Sequence, residues 1–161
     1  MFGVGNILSC EFMFNALTEF IKKSVQDREV LIEVDTNFEK VNIQANELLV
    51  DIFENILLNA VKYNDNTQVK ITIIISKIQK EGIKYLKIEF KDNGIGVTDA
   101  AKEIIFQGGY KRGKKLKGMG LGLSLVKKIV QSYNGEIWVE DRVPGDYSKG
   151  SNFVVIIPQT V

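Results

Sequence analysis

The chain has 161 residues, 45% hydrophobic and 25% charged, which suits one domain with a real core and is too short for two. Lysine plus arginine (21) and aspartate plus glutamate (20) almost cancel to +1, so no global field recruits nucleic acid or an anionic membrane, and any anion site is local. The count of zero histidines excludes imidazole bases, serine–histidine and cysteine–histidine nucleophiles and histidine-ligated zinc, and a lone cysteine, Cys10, excludes an intrachain disulfide and suits a reducing compartment.

No apolar run approaches the roughly 18 residues of a membrane span, and MFGVGNILSC lacks the basic start of a signal peptide. The expectation is a cytoplasmic protein without direct membrane contact. Residues 11–24, EFMFNALTEFIKKS, space Phe12, Leu17, Phe20 and Ile21 as an amphipathic helix. VLIEV (30–34) and VNIQA (41–45) are short strands around DTNFEK. Asn46 with Glu47 starts a second helix that runs to about Tyr63, where NDNT breaks it. VKITIIIS (69–76) and YLKIEFKD (85–92) form a hairpin across the polar QKEG; Leu86, Ile88 and Phe90 face one way, Lys87, Glu89 and Lys91 the other.

From Asn93 to Gly122 glycine recurs at 94, 96, 108, 109, 113, 118, 120 and 122, and the cation-rich YKRGKKLK between them reads as a loop. LGLSLVKKIVQSYN (121–134) resumes helical spacing and stops at Gly135, read as the residue past the helix end. EIWVED and SNFVVIIP close the chain as strands joined by RVPGDYSKG. Three main helices and about six strands predict an α/β two-layer sandwich with one sheet face covered.

The second helix carries the first chemical signal. At 100° per residue, Leu49, Ile52, Phe53, Ile56, Leu57 and Ala60 make one apolar face, and Asp51, Asn55, Asn59 and Lys62 fall within about 80° of each other on the opposite side. A solvated face explains that pattern; so does a site in which amide oxygens meet a metal and an ammonium meets phosphate, since magnesium takes few protein oxygens and shares the phosphates. DNGIG (92–96) follows a strand and lets the chain turn at Gly94 and Gly96. GMGLGLSLVKK (118–128) leads glycines into a helix start, where unpaired amides and the dipole favour an anion. Two imitations fail. GLGLS has Leu123 where a dinucleotide fingerprint needs its third glycine, and GGYKRGKK has Lys115 where a P-loop needs serine or threonine.

In this order the pieces resemble the ATP-binding catalytic domain of sensor histidine kinases, of the GHKL superfamily that includes gyrase and Hsp90 ATPases and anti-sigma-factor serine kinases. ENILLNAVKY resembles the N box, DNGIGV the G1 box, IFQGGYKR the F box and GMGLGLSLVKKIV the G2 box, and GEIWVEDRVPGDYSKGSNFVVIIP resembles the last hairpin. The resemblance covers about residues 11–158. It implies a Bergerat fold over a single domain, 1–161, with a mixed, mainly antiparallel sheet, about three helices on one face and an ATP lid at about 107–119. It implies ATP and Mg²⁺ as cofactors, with Asn59 ligating the metal, Asn55 beside it and Lys62 on phosphate, these three forming the catalytic set, and Tyr63 bordering the nucleotide. Asp92 would accept the adenine amine; Gly94, Ile95 and Gly96 would shape the base pocket, and Ser151 would support it. Phe106 would anchor the lid, Gly118, Gly120, Leu121, Gly122 and Leu123 would offer amides to phosphate, and Lys111, Arg112, Lys114 and Lys115 are γ-phosphate candidates. Phe106 and Tyr63 also read as core aromatics, and the lid cations as solvated charge.

The implied reaction is transfer of the γ-phosphoryl group to a histidine on a separate helical dimerisation domain, with a response regulator as an indirect partner and the isolated domain a monomer. With no histidine of its own, the chain is expected to be unable to autophosphorylate. The alternatives are an ATPase or anti-sigma-like serine kinase on the same fold, or a nucleotide-sensing module without turnover. The ATPase relatives usually have glutamate four residues before the magnesium asparagine; here Asn55 stands there and Glu54 lies about 100° around the helix.

Overall fold

The computed structural model describes residues 6–36, 42–45, 47–108 and 122–159. Helix α1 (Cys10–Ser24) follows a short strand, β1 (Asn6–Ser9), and starts where the Ser9 hydroxyl accepts the Phe12 amide at 3.0 Å. Glu11 in its first turn and Lys22 and Lys23 in its last suit the helix dipole. Its buried stripe is Met13, Phe14, Leu17 and Ile21. Phe12 and Phe20, expected in that stripe, are 61% and 47% exposed. The arc that packs is centred near Leu17 and Ile21, which leaves Phe20 at its edge and Phe12 on the opposite side of the helix.

Strands β2 (Glu29–Thr36) and β3 (Asn42–Ala45) precede α2 (Glu47–Lys62), followed by β4 (Gln68–Lys80) and β5 (Ile83–Asp92). The hairpin is tighter than expected. Lys80 pairs with Ile83 across a two-residue turn in which Glu81 and Gly82 both take positive φ, 52° and 79°, the requirement of a type I′ connection. After two 3₁₀ turns (Asp99–Ala101 and Ile104–Phe106) come α3 (Leu123–Ser132), β6 (Glu136–Val143) and β7 (Asp146–Pro158). The last hairpin also closes on a short turn, Pro144–Gly145, with Gly145 at φ 84°.

The main sheet has the order β2-β4-β5-β7-β6; β2 runs parallel to β4 and the other neighbours are antiparallel, while β1 and β3 form a small separate ribbon. The helices cover one face, as expected of a two-layer sandwich. Apolar residues of β4, β5, β6 and β7 face α1, α2 and α3. At the centre Phe14, Phe53 and Phe90, one each from α1, α2 and β5, pack with ring centroids 5.3 to 6.0 Å apart. Strand β7 lies between two partners and is buried on both faces from Ser151 to Ile157, so its sequence shows a continuous apolar run in place of alternation. Among the described residues no helix is long and apolar enough to cross a membrane.

Cys10 is buried at the start of α1, which pushes its thiol up to about 11. At pH 8 the native protein is expected to react with iodoacetamide about a hundredfold more slowly than the urea-unfolded chain, whose thiol titrates near ~8.5. Mass spectrometry of quenched time points checks this.

Candidate functional site

Asp92 ends β5 as a buried carboxylate in a cradle of donors. Its Oδ1 accepts from the Gly94 amide at 2.8 Å and the Ser151 amide at 3.2 Å, and its Oδ2 accepts from the Ser151 hydroxyl at 2.8 Å. Ser151 is itself buried on β7. Gly150, at φ 113°, lets the two strands close: a Cβ there would stand 1.9 Å from the Asp92 carbonyl oxygen. Both residues therefore belong to one rigid corner.

The turn after Asp92 lies against the end of α2. The Ile95 amide donates to the Tyr63 carbonyl at 3.0 Å, and a Cβ at Gly94 would meet that oxygen at 2.5 Å. Gly96 at φ 75° passes under the β6–β7 hairpin, where a Cβ would be 1.7 Å from the Tyr147 carbonyl oxygen. Ile95 stands 43% exposed on this turn, open to a flat partner.

On α2 the outcome is mixed. Asn59 and Lys62 are half-buried and border an open cavity of about 250 Å³ between α2 and the connection from Ser24 to Arg28, a cavity that no residue of the Asp92 corner lines. The Lys62 ammonium lies 5.5 Å from the Tyr63 ring centroid. Asn55, expected on the polar face beside Asn59, is buried rather than solvated, with its amide nitrogen donating to the Asp51 carbonyl one turn back at 3.1 Å. It stays on the side opposite the apolar face, and what packs over that side is a tertiary matter that periodicity does not carry. Neighbouring Glu54 has its carboxyl raised above the usual range, first by burial and then by the Asp51 charge.

Phe106 is buried in the second 3₁₀ turn, edge-on to Phe153 of β7 at 6.3 Å, with the Lys127 ammonium of α3 5.8 Å from its centroid. It thus joins two layers, as a core aromatic does. Gly122 caps α3 without a side-chain bond, its carbonyl accepting from the Leu125 and Val126 amides, and Leu123 packs against the core. Among the described residues, the first amides of α3 thus receive no side-chain cap from the N-cap position. Lys111, Arg112, Lys114, Lys115, Gly118, Gly120 and Leu121, and the expected lid beyond Gly108, lie outside the described residues.

Other polar groups around the site escaped the sequence reading. Asn64, Asn66 and Asn93 bond to one another where α2, β4 and the turn after β5 meet. Arg28 donates to the carbonyls of Val61 (2.8 Å) and Asn64 at the C-terminal end of α2, a favourable place for a cation. Lys102 pairs with Asp141 (2.7 Å) and Asp99, and these hydrogen bonds hold its ammonium above the usual lysine range. Asp141 is the register partner of Ser151, so this pair braces the corner that holds Asp92. Asparagine-rich turns and scattered charges carried no signal of these partners.

A buried acceptor at a strand end, a glycine turn locked to the end of a helix, and an amide and ammonium on that helix come together at one edge of an α/β sandwich. Residues 44–161 match the histidine kinase-, DNA gyrase B- and HSP90-like ATPases, and the chain belongs to that family. It is 31% identical over 144 residues to the sensor histidine kinase WalK of Bacillus subtilis, covering 87% of this chain and 21% of WalK. It spans about a quarter or less of the curated relatives it matches. The catalytic domain of the histidine kinase ThkA has the same fold, with a TM-score of 0.78 at 20% identity over 97% of this chain and 96% of that one. Full-length ShkA in complex with AMPPNP superposes with a TM-score of 0.75 at 20% identity, over 98% of this chain and 32% of ShkA.

Proposed function

We propose that the chain is the ATP-binding catalytic domain of a sensor histidine kinase, which transfers the γ-phosphoryl group of Mg-ATP to a histidine on separate dimerisation helices. The observation that carries this reading is the Asp92 corner: an anionic acceptor, oriented by Ser151 and Gly94, suits the exocyclic amine of adenine and rejects the guanine carbonyl. Gly94, Ile95 and Gly96 would hold the base, with Tyr63 at its margin. The phosphates would run toward Lys62, the uncapped start of α3 at Gly122 and Leu123, and the lid residues.

The donor set on α2 suits magnesium. The Asn59 side chain makes no hydrogen bond to another described residue, it is half-buried beside the cavity, and its hard carboxamide oxygen is a magnesium-type ligand when phosphates fill the other positions. When bound, the ion would neutralise charge on the phosphate oxygens. Lys62 would hold the phosphate chain, and Asp92 would fix its other end, so that the γ-phosphorus presents to an incoming imidazole. The bond from the γ-phosphorus to the bridging oxygen breaks as a phosphorus–nitrogen bond forms, and ADP leaves. The acceptor histidine belongs to another segment or chain, since this sequence has none. A response regulator would receive the phosphoryl group from that histidine. A single domain over 1–161, with a lid at about 107–119, is part of the same proposal.

ATP hydrolysis is the second reading, and one observation favours it: the raised carboxyl of Glu54 makes it a better proton acceptor than an ordinary glutamate. Asn55, one position on, cannot take a proton, and Glu54 points about 100° away from it around α2. The two readings separate in one assay. With a histidine-bearing helical hairpin from a related kinase, the chain is expected to label the hairpin with ³²P from ATP and to show no steady turnover in its absence. Multiple-turnover phosphate release that disappears in Glu54→Gln would replace the kinase reading with hydrolysis.

A further inference from the structure

We propose that Asn64, Asn66 and Asn93 form a clamp that sets the span between the adenine end and the phosphate end of the site, which makes them positioning residues for Mg-ATP. The inference rests on the reading above, in which Asp92 takes adenine while Asn59 and Lys62 take the phosphate end. Those two ends stand on different elements. Asp92 belongs to β5 and is braced by β7; Asn59 and Lys62 belong to α2.

Their separation is set where residues 63–70 meet residues 93–95. The Asn93 side chain uses both its acceptor and its donor there: Oδ1 accepts from Asn64 Nδ2 at 2.7 Å and from the Lys70 amide at 2.9 Å, and Nδ2 donates to the Gln68 carbonyl at 3.1 Å. Asn66 Nδ2 donates to the Asn93 carbonyl at 2.7 Å and to Asn64 Oδ1 at 3.0 Å, and the Asn66 amide donates to the same Oδ1 at 3.0 Å. Asn64 is buried, so its amide groups depend on these partners. Asn64 and Asn93 each use a donor and an acceptor on one short planar side chain and Asn66 uses its Nδ2 donor twice, which asparagine supplies; serine is too short to span, and aspartate lacks the donor.

The physical consequence concerns ligands that touch both ends. Once adenine is bound, the phosphates meet α2 at an effective concentration set by the spacer, and a rigid spacer of the right length raises it. Loosening the clamp therefore weakens Mg-ATP, which spans the site, and spares adenosine, which occupies one end. A loss of folded protein would lower both affinities by the same factor.

The test compares Mg-ATP with adenosine by calorimetry and competition, at a temperature where circular dichroism shows each variant folded. Asn93→Ala and Asn64→Ala are each expected to bind Mg-ATP about tenfold more weakly with adenosine affinity within about twofold, and the double variant is expected to be no worse than the stronger single, as for two halves of one device. Asn66→Ala, an exposed turn position, keeps the test decisive if the buried variants do not fold; about threefold weaker Mg-ATP with unchanged adenosine is expected there. Equal losses for both ligands, or unchanged Mg-ATP affinity in folded variants, would overturn the clamp. Failure of the unaltered protein to bind Mg-ATP more tightly than adenosine is a different result and sinks the two-ended site itself.

Discussion

Asp92→Ala is expected to abolish calorimetrically detectable Mg-ATP binding, a loss of about a hundredfold or more. A hydrogen bond to a charged acceptor contributes about 1.5–3 kcal/mol, and every ~1.4 kcal/mol is tenfold in affinity. The cradle adds to that, because without the carboxylate the Ser151 hydroxyl and the Gly94 and Ser151 amides lose their common acceptor and the pocket floor relaxes. Asp92→Asn is the sharper companion. It keeps the shape and one oxygen for the two amides, and the Ser151 hydroxyl can turn to accept from the new amide, so the melting temperature should move little. The face offered to the base changes from acceptor to donor, so adenine affinity should still collapse. Retention of wild-type ATP affinity in Asp92→Asn would remove the adenine assignment.

Asn59→Ala should separate metal from nucleotide. ATP measured in EDTA is expected to bind the variant as it binds the unaltered chain, while the gain on adding magnesium disappears and transfer to a histidine-bearing hairpin falls about 100- to 1,000-fold. The change should cost under about 0.5 kcal/mol of stability, because the side chain is half-buried and bonds to no other described residue. A variant that keeps its magnesium-dependent gain would move the metal to another ligand.

Much of this was legible in the residues because it depends on local rules. The apolar face of α2, the alternation of β5 and the turn at Gly96 follow from helical period, strand period and positive φ. The end of α3 shows where such rules stop. Gly135 was read as the left-handed residue past the helix, but Asn134 takes that conformation at φ 60°. Gly135 is required for a different reason: a Cβ there would lie 2.4 Å from the Ile156 carbonyl oxygen on β7. The double-sided burial of β7 and the bond between Asn64 and Asn93, 29 residues apart, come from pairings between distant segments. No window of sequence contains both partners.

The parallel pairing of β2 with β4 has a consequence for how the protein assembles. Hairpins β4–β5 and β6–β7 join neighbours across two-residue turns and can form early. Pairing Glu29 with Gln68 closes a loop that contains all of α2, and such closure is slow and entropically costly. The helix that carries Asn59 and Lys62 is therefore the crossover of that pair, and it comes to rest only when the loop is closed. On this topology both ends of the site wait for long closures: the corner around Asp92 is complete only when Ser151, 59 residues further on, docks beside it, and the phosphate end only when β2 pairs with β4.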